Sequence, residues 1–168
     1  ALIHDDLMDG SDTRRGKPAI HKHFEKLHAQ ESAVGSSAGF GQAAAILLGD
    51  LALVYSDLAL HQSGIKTDVL PQVLAVHDEM RVELMAGQFL DIYEQTRSTH
   101  TVERALTIAR YKSGKYTIER PLHFGAALAT TDKKVLAEVT SHLSSYGLPL
   151  GEAFQLRDDL LGVFGDPD

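Results

Sequence analysis

The chain contains no cysteine, which excludes a disulfide scaffold, a thiolate metal site and a thiol nucleophile. Positive charge is scarce: 16 Lys and Arg stand against 23 Asp and Glu, a formal net charge of −7. Nucleic-acid backbones are met by excess positive charge, so this balance excludes a general nucleic-acid binder. It leaves room for a local basic patch on a phosphate-bearing small molecule. No stretch alternates apolar and polar residues with period two, which argues against a sheet. The longest mostly apolar run, residues 43–55, is interrupted by Gly49 and Asp50. It reads as too short and too polar for a transmembrane segment. No secretory signal pattern is visible, and a cytoplasmic location is expected. There is no GxSxG, no P-loop and no dinucleotide fingerprint.

What remains is ordinary globular composition. Its 168 residues, 43% apolar and 23% charged, suit one domain with a buried core. The opening ALIHDDLMD reads as the last turns of a helix already under way, and the chain stops soon after a second acidic motif. Residues 1–168 are therefore expected to be a single domain and an internal piece of a longer protein, truncated at both ends.

The periodicity is helical almost throughout. Ala45, Leu48, Ala52, Tyr55 and Ala59 recur at three- and four-residue steps, as do Val69, Val73, Val76, Met80, Leu84 and Leu90. Shorter helices are expected over 101–113 and 115–129, with a break at Gly114 and a kink or boundary at Pro121. Asp132 is a candidate cap for a helix over 133–146, stopped by Gly147 and Pro149, and a last helix runs from about Leu150 to Val163. Residues 10–37 form the least regular stretch, with His21 and His23 in a loop as surface or phosphate-adjacent residues.

Five constellations carry candidate chemistry. In DDLMD, Asp5 and Asp9 share a helix face one turn apart, with Asp6 about 100° round. Like charges at this spacing repel, and a hard divalent cation such as Mg²⁺ relieves them; a solvated acidic helix end is an equal alternative. In FQLRDDLLG, Asp158 and Asp159 follow Gln155 among Phe154, Leu156, Leu160 and Leu161, which read as buried. A buried carboxylate pair calls for a cation. Arg14, Arg15 and Lys17 form a basic Gly/Pro loop suited to phosphate, or to ion pairs with Asp12 or Asp9. Gln88 and Asp91 share a face of an apolar helix, and Lys115 and Thr117 follow the expected break at Gly114; each pair could equally be surface or capping chemistry. His4 reads as a packed residue, and no spacing completes a zinc site.

Taken in order, HDDLMDGSDTRRGKP, GQFLD, the lysine–threonine region and FQLRDD strongly resemble the trans-isoprenyl diphosphate synthases, or polyprenyl synthetases, across essentially the whole chain. SGKYTIERPL and DDLLGVFGDP resemble actinobacterial members. The resemblance implies an all-α isoprenoid-synthase bundle around a central cavity, here partial. It implies head-to-tail transfer: an allylic diphosphate held by three Mg²⁺ ionises, isopentenyl diphosphate attacks, and a proton is lost.

Carried over by residue, the resemblance assigns metal to Asp5, Asp6, Asp9 and Asp158, with Asp159 in support. Arg14 and Lys115 would meet the allylic diphosphate and Arg15 the isopentenyl diphosphate, with Gln88 and Asp91 positioning substrate. Thr117 and Gln155 would line the reaction centre. A homodimer is also implied, as are flanking segments that complete the site.

Three departures stand out. Gly162 replaces the last aspartate of the second motif, and Asp166 follows on the wrong helical face. Tyr116 separates Lys115 from Thr117, where the family has adjacent residues. In the family resembled, bulky residues four and five positions before the first aspartate floor the cavity, so the small Ala1 at the fourth position implies geranylgeranyl or longer products. A terpene cyclase and a non-catalytic subunit of a heteromeric synthase are the alternatives; FQLRDD counts against the first and the intact aspartates against the second.

Overall fold

The computed structural model describes residues 1–165. Two compact units emerge, Ala1–Gly64 and the chain from Ile65 onward.

The first unit opens with α1 (Leu2–Met8), ended by Asp9 as C-cap and by Gly10 at φ 64°. A two-residue hairpin follows, β1 (Thr13–Arg14) against β2 (Lys17–Pro18), antiparallel with Thr13 opposite Pro18 and Arg14 opposite Lys17. Its turn residues Arg15 and Gly16 lie at φ 52° and 70°. Two successive left-handed residues match the right-handed twist of the flanking strands; glycine adopts this freely and arginine does not. Then come α2 (Ile20–Gln30) and α3 (Ser37–His61), the latter capped by Ser36 Oγ, which accepts from the Gly39 N–H at 3.1 Å.

Two expectations change here. The irregular stretch holds a full helix, on which His21 is buried rather than displayed while His23 is exposed as expected. The apolar run extends to the 25 residues of α3, with a mean hydropathy of 1.7 over its best 18-residue window. By length and composition that is enough to cross a membrane. In this unit α3 packs on α1 and α2.

The second unit contains α4 (Leu70–Gln95), with Pro71 in its first turn, and α5 (Val102–Ala109), capped by Thr101. A ten-residue π-helix (Arg110–Glu119) follows without interruption and leads into α6 (Arg120–Ala129). No break occurs at Gly114. The rod continues through a widened turn, and Pro121 falls at the start of α6, where a missing N–H is cheapest. π-Turns are rare and concentrate at functional sites.

Asp132 caps α7 as expected, accepting from the N–H groups of Lys134 and Val135. The helix then runs unbroken from Lys133 to Phe164, through Gly147 and Pro149. An internal proline costs about 3 kcal/mol, so tertiary packing must outweigh it. The contact responsible is visible. A Cβ on Gly151 would lie 2.5 Å from the Gly114 Cα, so α7 and the π-helix cross backbone to backbone.

Small residues carry the burial. Ala45, Val73 and Ala127 are fully buried, and Val73 is the largest fully buried side chain among the described residues. The apolar neighbours of the second acidic motif are not buried: Phe154, Leu156, Leu160 and Leu161 are 46–52% exposed. Beyond Gly151, α7 passes its crossing with the π-helix. There Glu152 pairs with Arg110 of the π-helix, and the one-turn stripe of Gln155 and Asp159 lines a cleft against the neighbouring helices.

Candidate active site

The first acidic motif is organised by the hairpin. Asp6 is 3% exposed, and its Oδ1 accepts from Arg14 Nε at 2.7 Å, with Arg14 Nη2 at 2.6 Å. The same Nη2 stands 3.4 Å from Asp5 Oδ2. The Asp6 hydrogen bond, against some loss of solvation, holds the Arg14 guanidinium above its ordinary value. The partners of Arg14 are thus Asp5 and Asp6, whereas Asp12 pairs with Lys22 at 3.4 Å. The Asp9 N–H donates to the Asp5 carbonyl at 2.9 Å, which realises the one-turn spacing of these two aspartates; Asp9 is exposed. Arg15 is exposed on the turn. His4 is packed, its Nε2 3.0 Å from the Ile46 carbonyl.

In the second unit, a cleft of about 390 Å³ is lined by Asp91, Lys112, Gln155 and Asp159, with Ala105 and Ile108 on its apolar side. The Lys112 Nζ donates to Asp91 Oδ2 at 2.7 Å, and Gln155 Nε2 donates to Asp159 Oδ1 at 2.7 Å. On the rim, Glu94 accepts from Arg104 and His100 at 3.0–3.1 Å. Burial alone would raise the Glu94 carboxyl, but these two donors hold it below its ordinary value. Gln88 lies three residues before Asp91, with its Nε2 buried and without a hydrogen-bond partner among the described residues.

This geometry relocates the lysine. Lys115 and Thr117 are not among the described cleft-lining residues. The Lys115 Nζ is held by Glu83 Oε1 at 2.5 Å and lies 3.7 Å from Glu119 Oε2. Sequence reasoning missed Lys112, and a signal for it existed: Ser113 follows it directly, an aliphatic hydroxyl next to the lysine, where Lys115 is followed by the aromatic Tyr116. Packing explains the choice. A Cβ on Gly87 would collide with the Lys112 backbone, so α4 presses on the π-helix at that level and brings Asp91 to Lys112. Asp159 faces the cleft, while Asp158 is exposed and outside the described lining. Asp166 lies outside the described residues.

The donor set of the first motif is carboxylate oxygen, and Asp5 and Asp6 already gather around one cation, the Arg14 guanidinium. Such oxygens fit a hard ion such as Mg²⁺. Among the described residues, no three acidic or histidine side chains converge as a ready-made metal site.

The family model described as polyprenyl synthetase matches residues 1–168. The chain belongs to the polyprenyl synthetase family. It is 33% identical to a farnesyl diphosphate synthase of Geobacillus stearothermophilus, over 98% of this chain and 50% of that protein. It is 32% identical to a geranylgeranyl diphosphate synthase of Mycobacterium tuberculosis, over 99% of this chain and 41% of that protein. Among solved structures, a geranylgeranyl pyrophosphate synthase from Corynebacterium glutamicum, complexed with isoprenyl diphosphate and magnesium, matches with a TM-score of 0.91 and 43% identity. That match covers 99% of this chain and 45% of the other. The polyprenyl synthetase chain described here thus spans half or less of the length of these relatives, and its helical architecture is shared with the Corynebacterium glutamicum structure.

Proposed function

We propose that the protein carrying this chain is a prenyltransferase that joins an allylic diphosphate to isopentenyl diphosphate, with Mg²⁺. The observation that carries the reading is the cleft where Lys112, Asp91, Gln155 and Asp159 meet inside a chain that matches the family along its whole length.

Each residue has a physical task. The Lys112 ammonium, held by Asp91, offers a fixed positive charge to the leaving diphosphate. Arg14 offers a planar fork to an allylic diphosphate, and Arg15 a cation to isopentenyl diphosphate. The unpartnered Gln88 Nε2 is a donor in reserve beside Asp91. Gln155 steadies Asp159. Asp5, Asp6 and Asp9 of the first motif, and Asp158 and Asp159 of the second, would hold the metal ions, three per site. Mg²⁺ when bound supplies the positive charge that makes diphosphate a better leaving group. Apolar walls keep water from the allylic cation.

A homodimer and a cytoplasmic location belong to the same reading, and the exposed apolar residues Ile46, Leu47, Val54 and Tyr55 of α3 suit a subunit interface. The relatives named above are synthases, so neither a terpene cyclase nor a non-catalytic subunit is favoured. The test uses the full-length protein with Mg²⁺, isopentenyl diphosphate and dimethylallyl, geranyl or farnesyl diphosphate in turn. Diphosphate release with a product lengthened by one or more five-carbon units is expected. Absence of product from all three allylic substrates would overturn the reading.

A further inference from the structure

Lys112 and Lys115 lie three residues apart on the π-helix and are tied to the same neighbouring helix, Lys112 to Asp91 and Lys115 to Glu83. Only the first faces the cleft. Lys115 is instead one member of a closed ring. Glu83 accepts from Lys115 at 2.5 Å and from Arg120 at 2.6 and 2.7 Å. Arg120 Nη1 lies 3.0 Å from His123 Nδ1, and His123 Nε2 lies 2.9 Å from Ser144 Oγ. Ser144 Oγ donates to Glu119 Oε1 at 2.6 Å, and Glu119 Oε2, buried and without a hydrogen bond among the described residues, closes the ring only as an ion pair 3.7 Å from Lys115 Nζ.

The ring fixes its own protons. Arg120 can only donate, so His123 Nδ1 accepts and Nε2 carries the hydrogen. Ser144 then accepts from His123 and donates to Glu119. The members come from α4, the π-helix, α6 and α7, and Glu119, Arg120 and His123 are all under 10% exposed. A buried ionic network is weak evidence for stability, because desolvation offsets attraction; its better-attested use is to specify one arrangement among several. The competing arrangement here is plain. A π-turn holds one residue more than an α-turn. Relaxing it to α-geometry would rotate one flank against the other by about 100°. The residues before and after the widened turn would then be turned relative to one another, which changes which of them face α4 and which the cleft.

We propose that this ring is a latch that holds the π-helix in register, and that Lys115 is thereby a positioning residue for Lys112. The inference rests on the reading that Lys112 meets the diphosphate.

A double-mutant cycle in the full-length protein tests it, with kcat/KM for the allylic diphosphate as the readout. Lys112→Met is expected to lower kcat/KM by about 100-fold. Lys115→Met is expected to lower it by about tenfold in the native background and by less than about twofold when Lys112 is already Met. Lys115→Arg, which keeps the charge, is expected to restore most of the loss. Should Lys115→Met fail to fold, as judged by circular dichroism, Glu83→Gln takes its place in the cycle, since it keeps the shape and weakens the ring. The same factor in both backgrounds, or no effect in the native one, would overturn the latch alone. An unimpaired Lys112→Met protein would overturn the reading of the cleft and with it the role given to Lys115.

Discussion

The pairs Asp5–Asp6 and Asp158–Asp159 are alike as sequence and unlike in surroundings. The first is tethered. Asp6 is buried, and a hairpin within ten residues supplies the arginine that neutralises it. The second stands on the exposed end of a long helix, with Gln155 one turn away to orient Asp159. A carboxylate taken out of water needs a partner on hand, whereas one left in water does not. Identical dipeptides therefore answer to different demands: the first pair is part of its unit's stability, and the second places no such demand on the helix that carries it.

The sharpest test of that contrast is kinetic. In the full-length protein, under the proposed function, Asp5→Ala is expected to reduce turnover by about 100- to 1,000-fold, with helicity intact by circular dichroism. A near-normal rate would break the assignment of the first motif to the reaction. Next in size is Gly151→Ala. The added Cβ would meet the Gly114 backbone at 2.5 Å, so a loss of about 3 kcal/mol is expected in urea unfolding. Gly125→Ala in α6, where nothing lies within 4 Å, is expected to gain about 0.5 kcal/mol and serves as the control.

Asp6→Asn should lower the urea stability by about 2 kcal/mol, because Arg14 loses its main partner while remaining partly solvated. Asp158→Asn should change stability by less than about 0.5 kcal/mol, as exposed substitutions do. Equal losses would erase the distinction between the two pairs.

The smallest expected effect is a slope. Burial, followed by the Arg120 charge and against the pull of Glu119, holds the His123 imidazole below its ordinary value of 6.5. The unfolded chain therefore binds more protons below that pH. The His123 contribution is fully present above 6.5 and is lost as pH falls toward the folded value. Between pH 7.5 and 5.5 the urea midpoint of the native protein should fall more than that of His123→Gln. Parallel falls would show that His123 is not the group responsible.

Much of the architecture was legible in the residues. Three- and four-residue apolar steps announced α3 and α4, and Asp132 announced the start of α7. What escaped was decided between elements. Gly147 and Pro149 read as a stop because their local preferences oppose a helix; the backbone contact of Gly151 with Gly114, invisible along the chain, carries the helix through them. The π-helix was hidden for a related reason. It has no period of its own at this length, and Gly114 looked like a break when it is a close-approach point. An α-helix or a broken one likewise gives no means of telling which of two lysines faces Asp91, and the structure pairs Lys112 with it. Composition, finally, gave α2 no voice: a helix with four polar or charged residues in its first turns is held by burying His21 and His28.

The contact between Gly114 and Gly151 has a consequence for descent as well as for folding. Two helices that touch through bare backbone leave no room for either partner to drift alone. A side chain acquired at one position demands a shift of the whole helix carrying the other, and with it the lysine of the cleft. The two glycines should be inherited as a pair, so that lineages tolerant of Ala at one site have widened the crossing and reshaped the cleft together.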